Sequence, residues 1–131
     1  MENRLGNEGD ALQVVVIGVG KLESSASKLT EFLEGRDEVS KTLAREISPV
    51  VAAFNQSSIA YVSTGDKADF DTAIAQSDKL NSILQKVMGL MRGVPRREQA
   101  VVRYVRRDSD VIRQSLRQKQ AIASAVQSAL E

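Results

Sequence analysis

The sequence predicts an all-α protein, an elongated antiparallel up-down bundle of four helices that forms a single domain over residues 1–131. Three observations carry this prediction. Apolar or small residues recur at alternating steps of three and four, which places them on one face of a helix. Aromatic residues make up only 4% of the chain and Trp is absent, so the core must be mainly aliphatic, as in helical packing. Short breaks with glycine separate the periodic segments.

Four periodic segments follow one another along the chain. Their predicted core positions are Leu12, Val15, Val19, Leu22, Ala26, Leu29 and Leu33; then Ser40, Leu43, Ile47, Val50, Phe54, Ser57 and Tyr61; then Phe70, Ala73, Ser77, Leu80, Leu84, Val87 and Met91; and last Val102, Val105, Ser109, Ile112, Leu116, Lys119, Ala123, Val126 and Leu130. We expect residues 1–9 to be disordered or frayed. Gly18 and Gly20 interrupt the first segment, where glycine disfavours a helix, and we expect a close helix contact or a bend there.

Two turns between the segments are specified by their residues. Gly65 can adopt the left-handed conformation that ends a helix, and Asp66 is then placed to cap the next helix. Gly93 provides a second stop, and Pro95 a restart, because proline is tolerated in a first helical turn but not in a helix interior. The sequence therefore predicts tight helical connections at both places.

The break at Gly35 is ambiguous, because the heptad spacing continues across it from Leu33 to Ser40 as it would in one uninterrupted helix. Two architectures stay open: four helices, or three helices with a very long first helix over about residues 10–62. Pro49 should bend the chain in either case, since it removes one backbone hydrogen bond. An even number of helices places both chain ends at one end of the rod, whereas three helices would separate them.

Composition excludes most catalytic sites. The chain has no Cys and no His, so thiol nucleophiles, imidazole bases and the usual zinc sites cannot be built. Neither a phosphate-binding loop nor a dinucleotide-binding glycine pattern is present. We therefore expect no enzymatic activity, no metal and no cofactor. The longest apolar run, Val14 to Gly20, is far shorter than the ~20 residues of a membrane-spanning helix.

The stretch Ala60–Phe70 resembles a pattern of the CHASE-type and related four-helix-bundle sensory domains of histidine kinases and chemotaxis receptors. The pattern has an aromatic residue, Thr-Gly-Asp and a second aromatic four residues later, and it is matched by Tyr61, Thr64, Gly65, Asp66 and Phe70. The Arg that often precedes the family's first aromatic is absent. The resemblance implies an extracytoplasmic sensory domain of a bacterial transmembrane receptor, located on the periplasmic face of the inner membrane. Such a domain is expected to work as a homodimer that transmits a helix displacement.

Arginines dominate the last predicted helix and make the chain electrically asymmetric. Residues 1–65 contain 6 basic and 9 acidic residues, and residues 66–131 contain 12 basic and 8 acidic residues. This basic helix either captures anions or is a solvated face that pairs with the acidic first half. Because the resembled receptors bind small organic acids or amino acids between helices, the candidate ligand contacts are Arg103, Arg106, Arg107 and Tyr61.

The expected partner is therefore a small anionic organic ligand or a periplasmic partner protein. Nucleic acid is not expected, because the total charge is only +1 and aromatic residues for base stacking are scarce. The alternative function is a helical protein-interaction module, such as a secretion-system or assembly component, that binds a partner helix through an exposed apolar stripe.

Overall fold

A computed structural model describes the backbone of residues 2–131 and the side chains of residues 11–131. Within residues 2–131, the chain forms four helices: α1 (Glu2–Glu34), α2 (Glu38–Thr64), α3 (Lys67–Leu90) and α4 (Arg96–Leu130). Helix α1 packs against α2 and α4, helix α3 packs against the same two helices, and α2 also touches α4. The predicted all-α four-helix bundle is confirmed. The prediction that residues 1–9 are disordered or frayed falls outside the residues whose side chains the structure describes.

The first helix ends at Glu34, which decides between the two predicted architectures. Asp37 is extended, and its carboxylate accepts a hydrogen bond from the N–H of Ser40 at 2.9 Å. This contact satisfies one free amide in the first turn of α2, and it is the main reason that the pKa of Asp37 lies below its ordinary value of 3.8. The alternative of one long helix over residues 10–62 is therefore wrong. The heptad spacing continues across the break because α1 and α2 face the same core.

The two predicted turns are confirmed. Gly65 adopts a left-handed conformation with φ 78°, and its N–H donates to the carbonyl oxygen of Tyr61 at 2.7 Å. The carboxylate of Asp66 accepts from the N–H of Ala68 at 3.0 Å and so caps α3. Gly93 is also left-handed, with φ 82°, and Pro95 lies immediately before α4 rather than inside its first turn. Both turns are too short for anything but antiparallel neighbours.

The core is aliphatic along most of its length, as the periodic pattern predicts. Its largest fully buried side chains are Tyr61, Phe54, Leu22, Leu29, Leu33, Ile47, Leu80, Leu84, Met91, Ile112 and Leu116. The prediction is wrong near one end of the rod, where Leu12, Val126 and Leu130 are 40%, 40% and 80% exposed. In α2, Val51 is buried and Val50 only half-buried.

The exposed end of α4 has a geometric cause. The last turn of α2 reaches only as far as Gln120, whose side chain accepts a hydrogen bond from Tyr61. The following ten residues, 121–130, extend about 15 Å further at the usual helical rise and are all exposed. Helices α2 and α3 turn back before this level, so they cannot cover the apolar residues there. None of the described helices is long and apolar enough to cross a membrane.

Candidate interaction site on the α1–α4 face

The three predicted arginine contacts share one exposed surface of α4. Buried residues Val102 and Val105 fix the inward side of the helix, so Arg103, Arg106 and Arg107 project away from the core and are exposed. The guanidinium of Arg107 lies over the ring of Tyr104, 4.9 Å from the ring centroid. The three arginines therefore form a basic outer surface of the bundle and do not enter its core.

The expected pairing of these arginines with the acidic first half is not found among the ion pairs of residues 11–131. Two arginines of α4 contact acidic groups there. Arg107 lies 3.5 Å from Asp108, its neighbour on the same helix. Arg113 donates to Asp78 at 2.6 Å and to the hydroxyl of Ser77 at 2.9 Å, and so joins α4 to α3. Both acidic residues belong to the second half of the chain. Among the described residues, no acidic side chain of the first half forms an ion pair with the basic surface of α4.

Tyr61 lies elsewhere, in the core near the turn between α2 and α3. It is 1% exposed, its hydroxyl donates to Gln120 at 2.7 Å, and its ring centroid is 5.3 Å from that of Phe70. Burial raises the pKa of Tyr61. Because Gln120 follows Arg107 by thirteen residues, the two positions are about 20 Å apart along α4. The structure therefore does not bring Tyr61 and the three arginines into one site.

A groove of about 380 Å³ runs between α1 and α4 beside the basic surface. Its lining residues are Val14, Ile17, Gly18, Lys21, Arg107, Asp108 and Val111. Gly18 explains how closely the helices approach, because a Cβ atom there would lie only 2.8 Å from Cγ1 of Ile112. The predicted close helix contact is confirmed for Gly18, whereas a Cβ at Gly20 would meet nothing within 4 Å.

Asp108 is the most unusual group in this groove. Asp108 is only 6% exposed. Its carboxylate accepts a long hydrogen bond, of 3.5 Å, from the guanidinium of Arg107. A nearly buried carboxylate is costly without a cation close by. The groove therefore combines apolar walls with one anionic and two cationic side chains, those of Asp108, Lys21 and Arg107.

The groove is not predicted from the sequence, although one residue on α4 hints at it. Asp108 follows the buried Val105 by three residues and precedes the buried Ile112 by four, so it occupies a position on the core side of α4. A carboxylate at such a position indicates a special environment. The residues of α1 that lie beside Asp108 depend on how the two helices pack, so they cannot be inferred from the sequence of α4.

Within residues 11–131, the structure brings together no group of three or more acidic side chains that could hold a metal ion. The chain matches no protein-family model, no curated protein and no solved structure.

Proposed function

We propose that this chain is the extracytoplasmic sensory domain of a bacterial transmembrane receptor, held at the periplasmic face of the inner membrane and working as a homodimer. One observation carries the proposal. Helices α1 and α4, the first and the last, pack side by side, so the start of α1 and the end of α4 point to the same end of the rod. A domain inserted between two membrane anchors needs this arrangement.

The packing between α1 and α4 supports a role in transmission. Gly18 of α1 lies against Ile112 of α4, and α4 continues beyond the turn between α2 and α3 by about 15 Å. A shift of one helix along the other is a usual response of packed helices, typically of about 1–2 Å. Binding at the α1–α4 face would bias such a shift, since both helices contribute to that face.

The proposed ligand is a small organic anion, or a periplasmic protein that presents acidic groups. Arg103 and Arg106 are exposed and have no ion-pair partner among the described residues, and Arg107 is 65% exposed. Guanidinium groups bind carboxylates through two parallel hydrogen bonds, which makes an arginine cluster suited to organic acids.

The coding region around this chain provides the first test. The receptor proposal expects two apolar segments of ~20 residues each, one encoded before α1 and one after α4. A gene that encodes neither segment would refute membrane anchoring.

A thermal-shift screen with dicarboxylates and amino acids tests sensing directly. A ligand present at a hundred times its dissociation constant stabilises a protein by about 2.7 kcal/mol. We expect a rise in melting temperature that is lost in Arg103→Ala and Arg106→Ala and kept in Arg117→Ala, a matched change further along the same exposed surface. No shift with any of these compounds at millimolar concentration would contradict small-molecule sensing.

A helical protein-interaction or assembly component is the second candidate function. The observation that favours it is the exposure of large apolar side chains beside the groove, where Ile17, Val111 and Tyr104 are 58%, 46% and 48% exposed. This function requires neither membrane anchors nor a small ligand.

A further inference from the structure

Two rows of exposed side chains border the groove between α1 and α4. On each helix the row members are seven residues apart, which keeps them on one side of the helix. The rows are Val14, Lys21 and Lys28 on α1, and Val111, Tyr104 and Arg97 on α4. Since the two helices are antiparallel, both rows run from an apolar residue at one end to a cationic residue at the other.

The surface between the rows is therefore polarised along its length. Val14, Ile17 and Val111 make its apolar end, near the level at which α1 contacts Ile112. Lys28 and Arg97 are exposed at its cationic end. Among the described residues, neither cation lies within 4.0 Å of a carboxylate oxygen. A complementary partner therefore needs apolar side chains at one end of its contact surface and negatively charged side chains at the other end.

We propose that this face binds an acidic amphipathic helix of a partner protein. Apolar side chains of the partner would pack between Val14, Ile17 and Val111, and its Asp or Glu side chains would lie beside Lys21, Lys28 and Arg97. Each row spans fourteen residues, from 14 to 28 and from 111 to 97, which corresponds to about 21 Å or four helical turns. The partner helix therefore needs about four turns. A helix laid in a groove is a common mode of peptide recognition.

Charge and shape favour this occupant over the alternatives. A second copy packed in parallel through the same face would place Lys21, Lys28 and Arg97 against their own counterparts, which is repulsive. A lipid surface is flat and does not fill a groove. Nucleic acid would find no free aromatic ring for base stacking among the described residues of this face, because the ring of Tyr104 is already covered by Arg107. The inference holds whether or not the chain is membrane-anchored, so a gene without flanking apolar segments would refute the receptor proposal and leave this one standing.

The test uses the whole purified chain and a yeast-displayed library of helical peptides about five turns long. The side chains on every face of the peptide helix are randomised. We expect the enriched peptides to carry apolar residues at steps of three and four in one half and Asp or Glu in the other half. Binding of the selected peptides should weaken at least about tenfold in Val111→Lys or Ile17→Lys, as for a central anchor contact. Lys28→Glu and Arg97→Glu should weaken it about threefold or more, with a smaller effect at high salt.

The matched control is Val39→Lys, which changes an equally apolar side chain that is 59% exposed on α2. This variant should bind the peptides within about twofold of the unmodified chain. All replaced residues are exposed, and circular dichroism checks that each variant keeps its helices.

Four results would overturn the proposal. The first is a selection that yields no binder, and the second is a set of enriched peptides with no excess of acidic residues. The third is peptide binding that Val39→Lys weakens as much as Val111→Lys does. The fourth is occupation of the face by a second copy of the chain or by a lipid surface. The last would appear as a dimer in sedimentation equilibrium that Val111→Lys abolishes, or as tight binding to vesicles of phosphatidylcholine and phosphatidylglycerol that the same variant abolishes.

Discussion

Replacing Gly18 and Gly20 with Ala, one at a time, tests the close contact between α1 and α4. Both glycines lie inside α1, where Ala is preferred over Gly by about 1 kcal/mol. A Cβ at Gly20 meets nothing within 4 Å, so Gly20→Ala should raise the free energy of unfolding by about that amount. A Cβ at Gly18 lies 2.8 Å from Cγ1 and 3.4 Å from Cδ1 of Ile112, which is fully buried.

The Cγ1 atom of Ile112 cannot move aside easily. It is bonded directly to the branched Cβ atom, whose rotamers are restricted, and the side chain is fully buried. Overpacking of this kind costs about 1–3 kcal/mol. After subtraction of the propensity gain, Gly18→Ala should destabilise the protein by roughly 1 kcal/mol. Gly20→Ala should therefore raise the free energy of unfolding and Gly18→Ala should lower it, so that the two variants differ by about 2 kcal/mol.

Urea unfolding followed by far-UV circular dichroism measures both variants. A double-mutant cycle with Ile112→Ala then identifies the cause. Removal of Cγ1 and Cδ1 should turn the effect of Gly18→Ala from destabilising to stabilising, although Ile112→Ala alone costs about 2–5 kcal/mol. If Gly18→Ala stabilises the chain as much as Gly20→Ala does, the close approach of α1 and α4 is refuted.

Three further changes test other parts of the bundle. Because burial raises the pKa of Tyr61, the stability that its protonated form provides is complete below the ordinary value of 10.0 and is lost as pH rises through the higher folded value. Melting temperatures above pH 10 should therefore fall more steeply for the unmodified chain than for Tyr61→Phe, and parallel profiles would contradict this. Arg113→Ala should lower the free energy of unfolding by about 1 kcal/mol, since it removes both interhelical hydrogen bonds of that side chain; an unchanged urea midpoint would contradict it. Pro49→Ala should stabilise α2 by roughly 1–3 kcal/mol, because it restores a backbone donor inside the helix, and a lower melting temperature would show that the proline fits its site.

The proposed receptor role and the proposed partner helix place different demands on the α1–α4 face. The receptor role needs the two helices to move relative to each other, whereas partner binding needs only a stable groove with exposed apolar and cationic residues. The contact between Gly18 and Ile112 matters for both, because it sets the separation of the helices. Gly18→Ala therefore also serves as a probe of function, with Gly20→Ala as its control.

The Gly35 region illustrates what a one-dimensional pattern leaves open. Heptad spacing is the same for one long helix and for two helices that share a core, so periodicity could not decide between them. The deciding feature is the hydrogen bond from the N–H of Ser40 to the carboxylate of Asp37, an N-cap that marks the start of a second helix. The failed core positions Val126 and Leu130 have a related origin, because the helix pattern continues beyond the point where neighbouring helices end.

Local signals are enough to predict the helices and two of the turns. Apolar spacing indicates the helices and their inward faces, and the pairs Gly65–Asp66 and Gly93–Pro95 indicate the turns, because these signals act within a few residues. The site, in contrast, arises from contacts between helices. The groove requires Gly18, Lys21 and Asp108 to meet across two helices that lie far apart in the chain, and the separation of Tyr61 from Arg107 depends on where α2 stops along α4. Contacts of this kind arise from the register between helices, which packing of the whole core fixes and no single segment encodes.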